Sequence, residues 1–340
     1  MTRFLSAENP ADVQTAAEIL RAGGVAAIPT ETVYGLAARA LDPVAVERVY
    51  AAKGRPADNP LIVHIDDLFA LYVLCASVPD AVVILASHFW PGPLTMVLPR
   101  RDTIPDIVTA GLPTVAVRLP ASPVARALIR QAGPLAAPSA NRAGSPSPTT
   151  AAHVRHDLDG RVDAILDGGP CLWGVESTVL DLTGDRPRLL RPGGVTHTQL
   201  EALLGPVEVD PAVTGPSAAG ETPRAPGMKY RHYAPKAPVI LLRGSAAAAA
   251  AYARQRAAPG AAVLCFNGEP DLFGDLLCVP YGDERDPISL ARGLYDALRR
   301  LDRDGVTVIY ARYPEGEGLY DAVRNRLNKA AGFYQITLDG

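Results

Sequence analysis

Residues 25–35 read Val-Ala-Ala-Ile-Pro-Thr-Glu-Thr-Val-Tyr-Gly, and this stretch decides the fold class. Val25 to Ile28 has the apolar run of a short buried strand, and the polar segment Pro29 to Gly35 follows it directly. Upstream, Asn9 and Pro10 open a helical pattern with Val13, Ala16, Ala17 and Leu20 on one face, and Gly23 and Gly24 close it. Downstream, Asp42-Pro43 starts another helix, with Val46, Val49, Tyr50 and Lys53 at helical spacing. Helix, strand, polar loop and helix make an α/β unit. Ligands of such sheets sit beyond the carboxyl ends of strands, so Thr30 and Thr32 are well placed to meet one. An isolated Thr-Glu-Thr would serve equally as a hydroxyl-rich turn capping the next element.

The α/β pattern runs through the first 205 residues. Further strand candidates are Leu61–Ile65, Leu94–Leu98, Val115–Leu119, Val162–Leu166, Glu176–Leu182 and Arg188–Leu190. Residues 206–236 are expected to be a linker, because from Asp210 to Gly227 the composition turns to Pro, Ala, Gly, Ser and Thr without apolar periodicity. Residues 237–340 then read as a second, smaller α/β domain. Val239–Leu242, Ala262–Phe266, Leu277–Pro280 and Val306–Tyr310 are its strands, Ser245–Arg256 and Ser289–Asp302 its helices, and a parallel sheet is expected.

Composition excludes several classes. With 340 residues, 48% hydrophobic and 20% charged, the chain can bury two cores and is not disordered. The opening Met-Thr-Arg-Phe-Leu-Ser has no apolar leader, and the apolar stretch Ala70–Ala86 is broken by Ser77, Pro79 and Asp80. A cytoplasmic location without membrane attachment is therefore expected. Cys75, Cys171, Cys265 and Cys278 are scattered, which suits neither a zinc site nor a disulfide framework. A net charge of −3 opposes nonspecific nucleic-acid binding, which needs many phosphate contacts.

Beyond the Thr-Glu-Thr loop, three more segments of the first domain are dense in functional side chains. Lys53-Gly-Arg-Pro-Ala-Asp-Asn-Pro60 leads into Leu61-Ile-Val-His64. Its cations either complement a helix carboxyl end or clamp phosphate, Arg as a planar fork and Lys as a point charge. A lone strand histidine such as His64 is more often structural than catalytic. In Thr114-Val-Ala-Val-Arg118, alternation puts Val115, Val117 and Leu119 on one face and Thr114, Ala116 and Arg118 on the other. An Arg so flanked needs an anion, from a protein carboxylate or a substrate. The third segment, Ala137-Pro-Ser-Ala-Asn-Arg-Ala-Gly-Ser-Pro-Ser-Pro148, is rich in small donors that either wrap a ligand or simply connect elements. Gly174-Val-Glu-Ser-Thr178 and Arg191-Pro-Gly-Gly194 place more polar groups at strand ends. The chain has no G-x-x-x-x-G-K-[ST], so an ATP site would not be a P-loop, and no G-x-G-x-x-G.

Taken in order, IPTETVYGL, KGRPADNPLIVHI, FWPGPLTMVL, TVAVRLP, APSANRAGSPSPT, GVESTVLDL and LLRPGG resemble the YrdC-like family of threonylcarbamoyl-AMP synthases over roughly residues 10 to 205. APGMKYRHYAP, Ala225 to Pro235, with the domain after it, resembles the long form of these enzymes. The resemblance implies a YrdC-like twisted-sheet catalytic domain plus a smaller Rossmann-like α/β C-terminal domain. It implies a nucleotidyltransferase that condenses L-threonine, bicarbonate or CO2 and ATP to threonylcarbamoyl-AMP and pyrophosphate. Mg²⁺ would come with ATP; no zinc, flavin or NAD is implied. The product would pass to a threonylcarbamoyl transferase complex for tRNA modification at position 37.

Carried over by motif, Thr32, His64, Arg118, Ala137 and Ser177 would line the threonine site. Lys53, Arg55, Asn59, Thr114, Ser139, Asn141, Ser147, Arg191 and Tyr233 would hold the nucleotide. His64 is implied either as proton acceptor for the threonine amine or as a positioning group, and no metal ligand is implied beyond ATP itself. Tyr230, Arg231, His232 and Tyr233 are expected to act as a lid over a labile mixed anhydride. Two rivals keep parts of this picture. A carbamoyltransferase of the hydrogenase-maturation type shares the domain but carries cysteine pairs that this chain lacks. A non-catalytic RNA-binding or ribosome-assembly factor would need stacking aromatics and a more basic balance.

Overall fold

A computed structural model of the chain describes residues 1–216 and 233–338. Most of the anticipated linker, and the Tyr230 to His232 part of the anticipated lid, lie outside the described residues. The described chain divides into two compact units. The first comprises Met1–Ala143, Ser147–Leu172 and residues 176–216; the second comprises Gly144–Pro146, Trp173–Val175 and residues 233–338.

The first unit is built on an eleven-stranded mixed sheet. Its strands are β1 (Arg3–Ser6), β2 (Ala26–Ile28), β3 (Gly35–Arg39), β4 (Ile62–His64), β5 (Leu94–Pro99), β6 (Thr114–Arg118), β7 (Leu135–Ala136), β8 (Ala164–Asp167), β9 (Thr178–Asp181), β10 (Arg188–Arg191) and β11 (Glu208–Val209). They lie in the order β1-β8-β2-β3-β7-β4-β6-β5-β9-β10-β11. Helices begin where the capping signals place them. Asn9 and Asp42 accept backbone N–H bonds at the starts of Pro10–Arg21 and Pro43–Lys53, and Gly54 closes the latter in the left-handed region at φ 63°.

Register in the middle of this sheet sets up the site. His64 in β4 stands opposite Arg118 in β6, and Arg118 stands opposite Thr95 in β5. Successive side chains alternate, so this row shares one face with Ile62, Ala116 and Val97. Those three join Val179, Leu190 and Ala212 in a small apolar cluster. The opposite face puts Val63, Val115, Val117, Leu119, Met96 and Leu98 into the main core, under the helices Asp80–Phe89 and His197–Leu204. The alternation expected for residues 114–119 is what the packing uses.

The first unit continues past residue 205. Val207 is buried in the main core, His197 Nε2 lies 2.8 Å from Val207 O, and β11 pairs in parallel with β10. The helix Pro211–Thr214 adds Ala212 to the small cluster. These elements are too short and Pro-rich to show periodicity, so the change of composition hides them.

The second unit is a five-stranded, all-parallel sheet of β12 (Val239–Arg243), β13 (Ala261–Cys265), β14 (Leu277–Pro280), β15 (Val308–Arg312) and β16 (Gln335–Thr337), ordered β14-β13-β15-β12-β16. β15 starts two residues later than expected, because Gly305 turns at φ 88° and the Val306 N–H bonds Arg303 O. The final helix, Leu319–Ala331, and β16 complete the unit beyond the elements read from sequence. Among the described residues, no helix is long and apolar enough to cross a membrane.

Candidate active site

The loop after β2 and the carboxyl ends of β4 and β6 bring together a cluster of buried polar side chains. Arg118 and Glu31 are each 4% exposed there, paired at 2.6 Å between Nη2 and Oε1. Arg118 Nη1 donates to Thr32 Oγ1 at 2.9 Å, and Nε donates to Gly92 O at 3.1 Å. A guanidinium carries five N–H donors, so two remain uncommitted among the described residues. Of the two anions weighed for Arg118, the structure supplies the protein carboxylate. Glu31 is the protein carboxylate, and two donors are left for a second anion.

Proton directions in the adjoining hydroxyl chain follow from its ends. Thr30 Oγ1 lies 2.6 Å from Val33 O, a pure acceptor, so the Thr30 proton goes there. Thr30 then accepts from the Thr32 hydroxyl, 2.9 Å away. Thr32 Oγ1 in turn accepts from Arg118. With its proton spent, Thr32 offers the pocket an acceptor lone pair and no donor.

His64 stands beside Arg118 in the row. Burial foremost, and then the Arg118 charge, push its pKa down to about 3, although Glu31 and the Ile62 and Leu135 carbonyls act the other way. The imidazole is therefore neutral at any working pH and a poor match for abstracting a proton from an amine. Of the two roles the sequence leaves open, this favours positioning. Ala137 is buried behind the pocket, its N–H bonded to Ile62 O at 3.0 Å.

Ser177, just before β9, links two strands. Its Oγ lies 2.8 Å from Thr95 Oγ1 and accepts from Arg191 Nη2 at 3.1 Å, while its carbonyl accepts from Arg191 Nε at 3.0 Å. The expected threonine-site serine and nucleotide-site arginine thus touch. Glycine makes this possible: a Cβ on Gly193 would sit 2.2 Å from Thr178 N and 2.5 Å from Ser177 C.

Six of the residues expected to hold a nucleotide form three groups. Lys53, at the end of its helix, donates Nζ to Ser139 O at 2.5 Å and to Asn141 O at 2.6 Å, tying down the donor-rich loop. Ser139 Oγ donates to Asn141 Oδ1 at 2.5 Å. Arg55 reaches Asn59 O at 3.0 Å and Pro60 O at 2.8 Å, and buried Asn59 Oδ1 accepts no hydrogen bond among the described residues. Ser147 Oγ donates to the buried carboxylate of Glu176.

Thr114 stands at the opposite end of β6 from Arg118, about 13 Å away at strand rise. Tyr233, at φ 63°, packs within the second unit, 5.3 Å from the Tyr295 ring and under Arg326.

Glu31, Thr95 and Glu176 are the polar residues that motif reasoning left without roles. For Glu31 the signal was present: an apolar-flanked Arg118 demanded a carboxylate, and an acidic residue sat in the first loop. Thr95 carries no such signal, since its place beside Ser177 depends on strand pairing. Among the described residues, no group of three or more His, Cys, Asp or Glu is arranged to cage a metal.

Comparison with known proteins bears on this arrangement. A family model described as telomere recombination, the Sua5–YciO–YrdC group, matches residues 18–193, and one described as threonylcarbamoyl-AMP synthase, C-terminal domain, matches residues 195–332. The Bacillus subtilis (strain 168) protein named threonylcarbamoyl-AMP synthase is 47% identical over 336 residues, covering 98% of this chain and 96% of its own. The Pyrococcus abyssi (strain GE5 / Orsay) protein of the same name is 47% identical over 330 residues, covering 94% of each. The crystal structure of P. abyssi Sua5 complexed with L-threonine matches with a TM-score of 0.91 at 44% identity, covering all of both chains.

Proposed function

The chain belongs to the threonylcarbamoyl-AMP synthase family, and from that premise we propose that it is an L-threonylcarbamoyladenylate synthase whose threonine pocket is centred on Arg118. The observation that carries this is the guanidinium itself: buried, fixed on three sides, with two donors left for a carboxylate. A bidentate grip on the amino-acid carboxylate uses both. Thr32 then faces the substrate's amine, because its oxygen can only accept. Neutral His64 fills the space beside them without competing for the carboxylate charge.

The reaction joins three small molecules. The threonine nitrogen adds to CO2 or dehydrating bicarbonate, forming an N–C bond and losing a proton. A carbamate oxygen then attacks the α-phosphorus of ATP, and pyrophosphate leaves. Lys53, Arg55 and Arg191 supply positive charge for the triphosphate, and Ser139, Asn141 and Ser147 supply a wrapping loop. Magnesium suits such a site as an ion carried mainly by phosphates and water, with Glu176 and Asn141 as the oxygen-bearing side chains at hand. It would neutralise developing charge on the phosphates. The product's acceptor is a separate threonylcarbamoyl transferase acting on tRNA, and the compartment is the cytoplasm.

Pyrophosphate release from purified protein with ATP, Mg²⁺ and bicarbonate tests this. Release that depends on L-threonine, and is weaker with serine, is the expected result. Release indifferent to threonine, or none at all, overturns it.

A further inference from the structure

Glu31 stands between two compartments. On one side it pairs with Arg118. On the other it lines a cavity of about 660 Å³ at the carboxyl ends of β1, β2 and β8, shared with Ser6, Ser122, Asp167 and Gly168. Its second oxygen accepts from the Ser122 N–H at 3.3 Å, where the helix Pro123–Ala132 begins, and the Ala121 backbone also bonds it. Burial acts most strongly to raise its pKa, but the Arg118 charge and these hydrogen bonds together hold the carboxyl below the ordinary range. The carboxylate is thus ionised, anchored to backbone on one side and to the guanidinium on the other.

We infer that Glu31 is the positioning residue of the threonine pocket, holding Arg118 in the one orientation that receives the substrate carboxylate. This rests on the proposed role of Arg118. An arginine side chain has four rotatable bonds, and an unpaired guanidinium beside an open cavity would turn its charge towards water. Gly92 O fixes Nε and Thr32 fixes Nη1, yet both are neutral acceptors. Glu31 is the partner that compensates the charge, so an Arg118 lacking it would trade its place in the pocket for solvation in the cavity. Glu31 itself need not touch the substrate; its oxygens are committed to Arg118 and to the Ser122 backbone.

The test uses the full chain, with pyrophosphate release measured against threonine and against ATP. Glu31→Gln keeps the side-chain volume but removes the charge and sets an amide donor against the Ser122 N–H. Glu31→Ala removes the carboxylate and joins the Arg118 pocket to the cavity. Both variants should raise KM for threonine about 10- to 100-fold, the scale of a lost charge-assisted hydrogen bond, with KM for ATP nearly unchanged. Formate, entering through the cavity, should bring the threonine KM of Glu31→Ala back towards wild type, and chloride at equal ionic strength should not. Should Glu31→Ala not fold, Glu31→Gln carries the comparison. Wild-type threonine KM in Glu31→Gln overturns the inference. So does a parallel rise in both KM values without formate rescue, which marks a merely structural carboxylate. Arg118→Ala separates this inference from its premise. If that variant keeps its threonine KM, the role of Arg118 falls and Glu31's with it. If it loses threonine affinity while the Glu31 variants do not, the inference about Glu31 alone is wrong.

Discussion

Replacing Gly193 with alanine should damage nucleotide use more than threonine use, through a clash of backbone with backbone. The added Cβ would lie 2.2 Å from Thr178 N, 2.5 Å from Ser177 C and 2.6 Å from Glu176 O. None of these atoms belongs to a side chain that could swing away. Reaching an ordinary contact near 3.5 Å needs a shift of about 1 Å in the 191–194 segment. Arg191 rides on that segment, and its bonds to Ser177 are already 3.0 and 3.1 Å long, so such a shift breaks both. Overpacking of this kind costs about 1–3 kcal/mol, which lowers the unfolding midpoint by roughly 2–10 °C. If Arg191 faces the phosphates as proposed, misplacing it should reduce kcat/KM for ATP about 10- to 100-fold. Threonine KM should change less, since Ser177 keeps Thr95 as a partner. Thermal unfolding and pyrophosphate release at varied ATP measure both effects. A variant with wild-type kcat/KM for ATP and an unshifted midpoint would show that the loop relaxes without moving Arg191, and the argument would be refuted.

Three more outcomes follow from named groups. His64, with its pKa near 3, stays neutral in the folded chain while the unfolded chain protonates it below about 6.5, so its stabilising contribution is complete above that pH. As pH falls from there towards 3, stability should drop by up to ~1.4 kcal/mol per pH unit relative to His64→Asn, and denaturant titrations showing a constant difference would contradict this. Asn59→Leu removes a buried, unsatisfied acceptor, so the melting temperature should hold or rise while KM for ATP increases about tenfold; a loss of stability with intact ATP use would argue that Asn59 is structural. Truncation after Pro216 should leave a folded first unit with altered turnover, whereas truncation after Gly205 also strips β11 and buried Val207 and should melt lower. A fragment 1–216 that equals the full chain in rate and product retention would count against the lid expected from the sequence.

The sequence carried what is local. Alternation in residues 114–119 assigned Arg118 to the polar face, and the cap signals at Asn9 and Asp42 marked two helix starts. It did not carry what depends on pairing. Thr95 and Ser177 are 82 positions apart, and they meet because β5 and β9 are parallel neighbours. β7 is two residues long, and the Gly-Leu-Ala-Ala-Arg of β3 does not alternate, so neither shows a period. The same limit explains why the first unit extends beyond residue 205. β11 and the helix after it are held by partners in β10 and the core, not by their own propensity.

The proposed threonine and nucleotide halves of the site place their charged groups differently. On the threonine side, Arg118 is compensated by Glu31, so the pocket is close to neutral before an amino acid arrives. A zwitterion adds no net charge, and binding it requires oriented donors and acceptors rather than a strong field. On the nucleotide side, Lys53 bonds the carbonyls of Ser139 and Asn141, Arg55 those of Asn59 and Pro60, and Arg191 that of Ser177. These carbonyl oxygens fix the direction of each cation. A triphosphate, with about four negative charges, needs oriented cations to leave water, and Mg²⁺, if carried with it, would take up part of that charge. Weakening one such cation should therefore cost less at high ionic strength, where its field is screened, whereas the Glu31–Arg118 pair is buried and should respond little to salt.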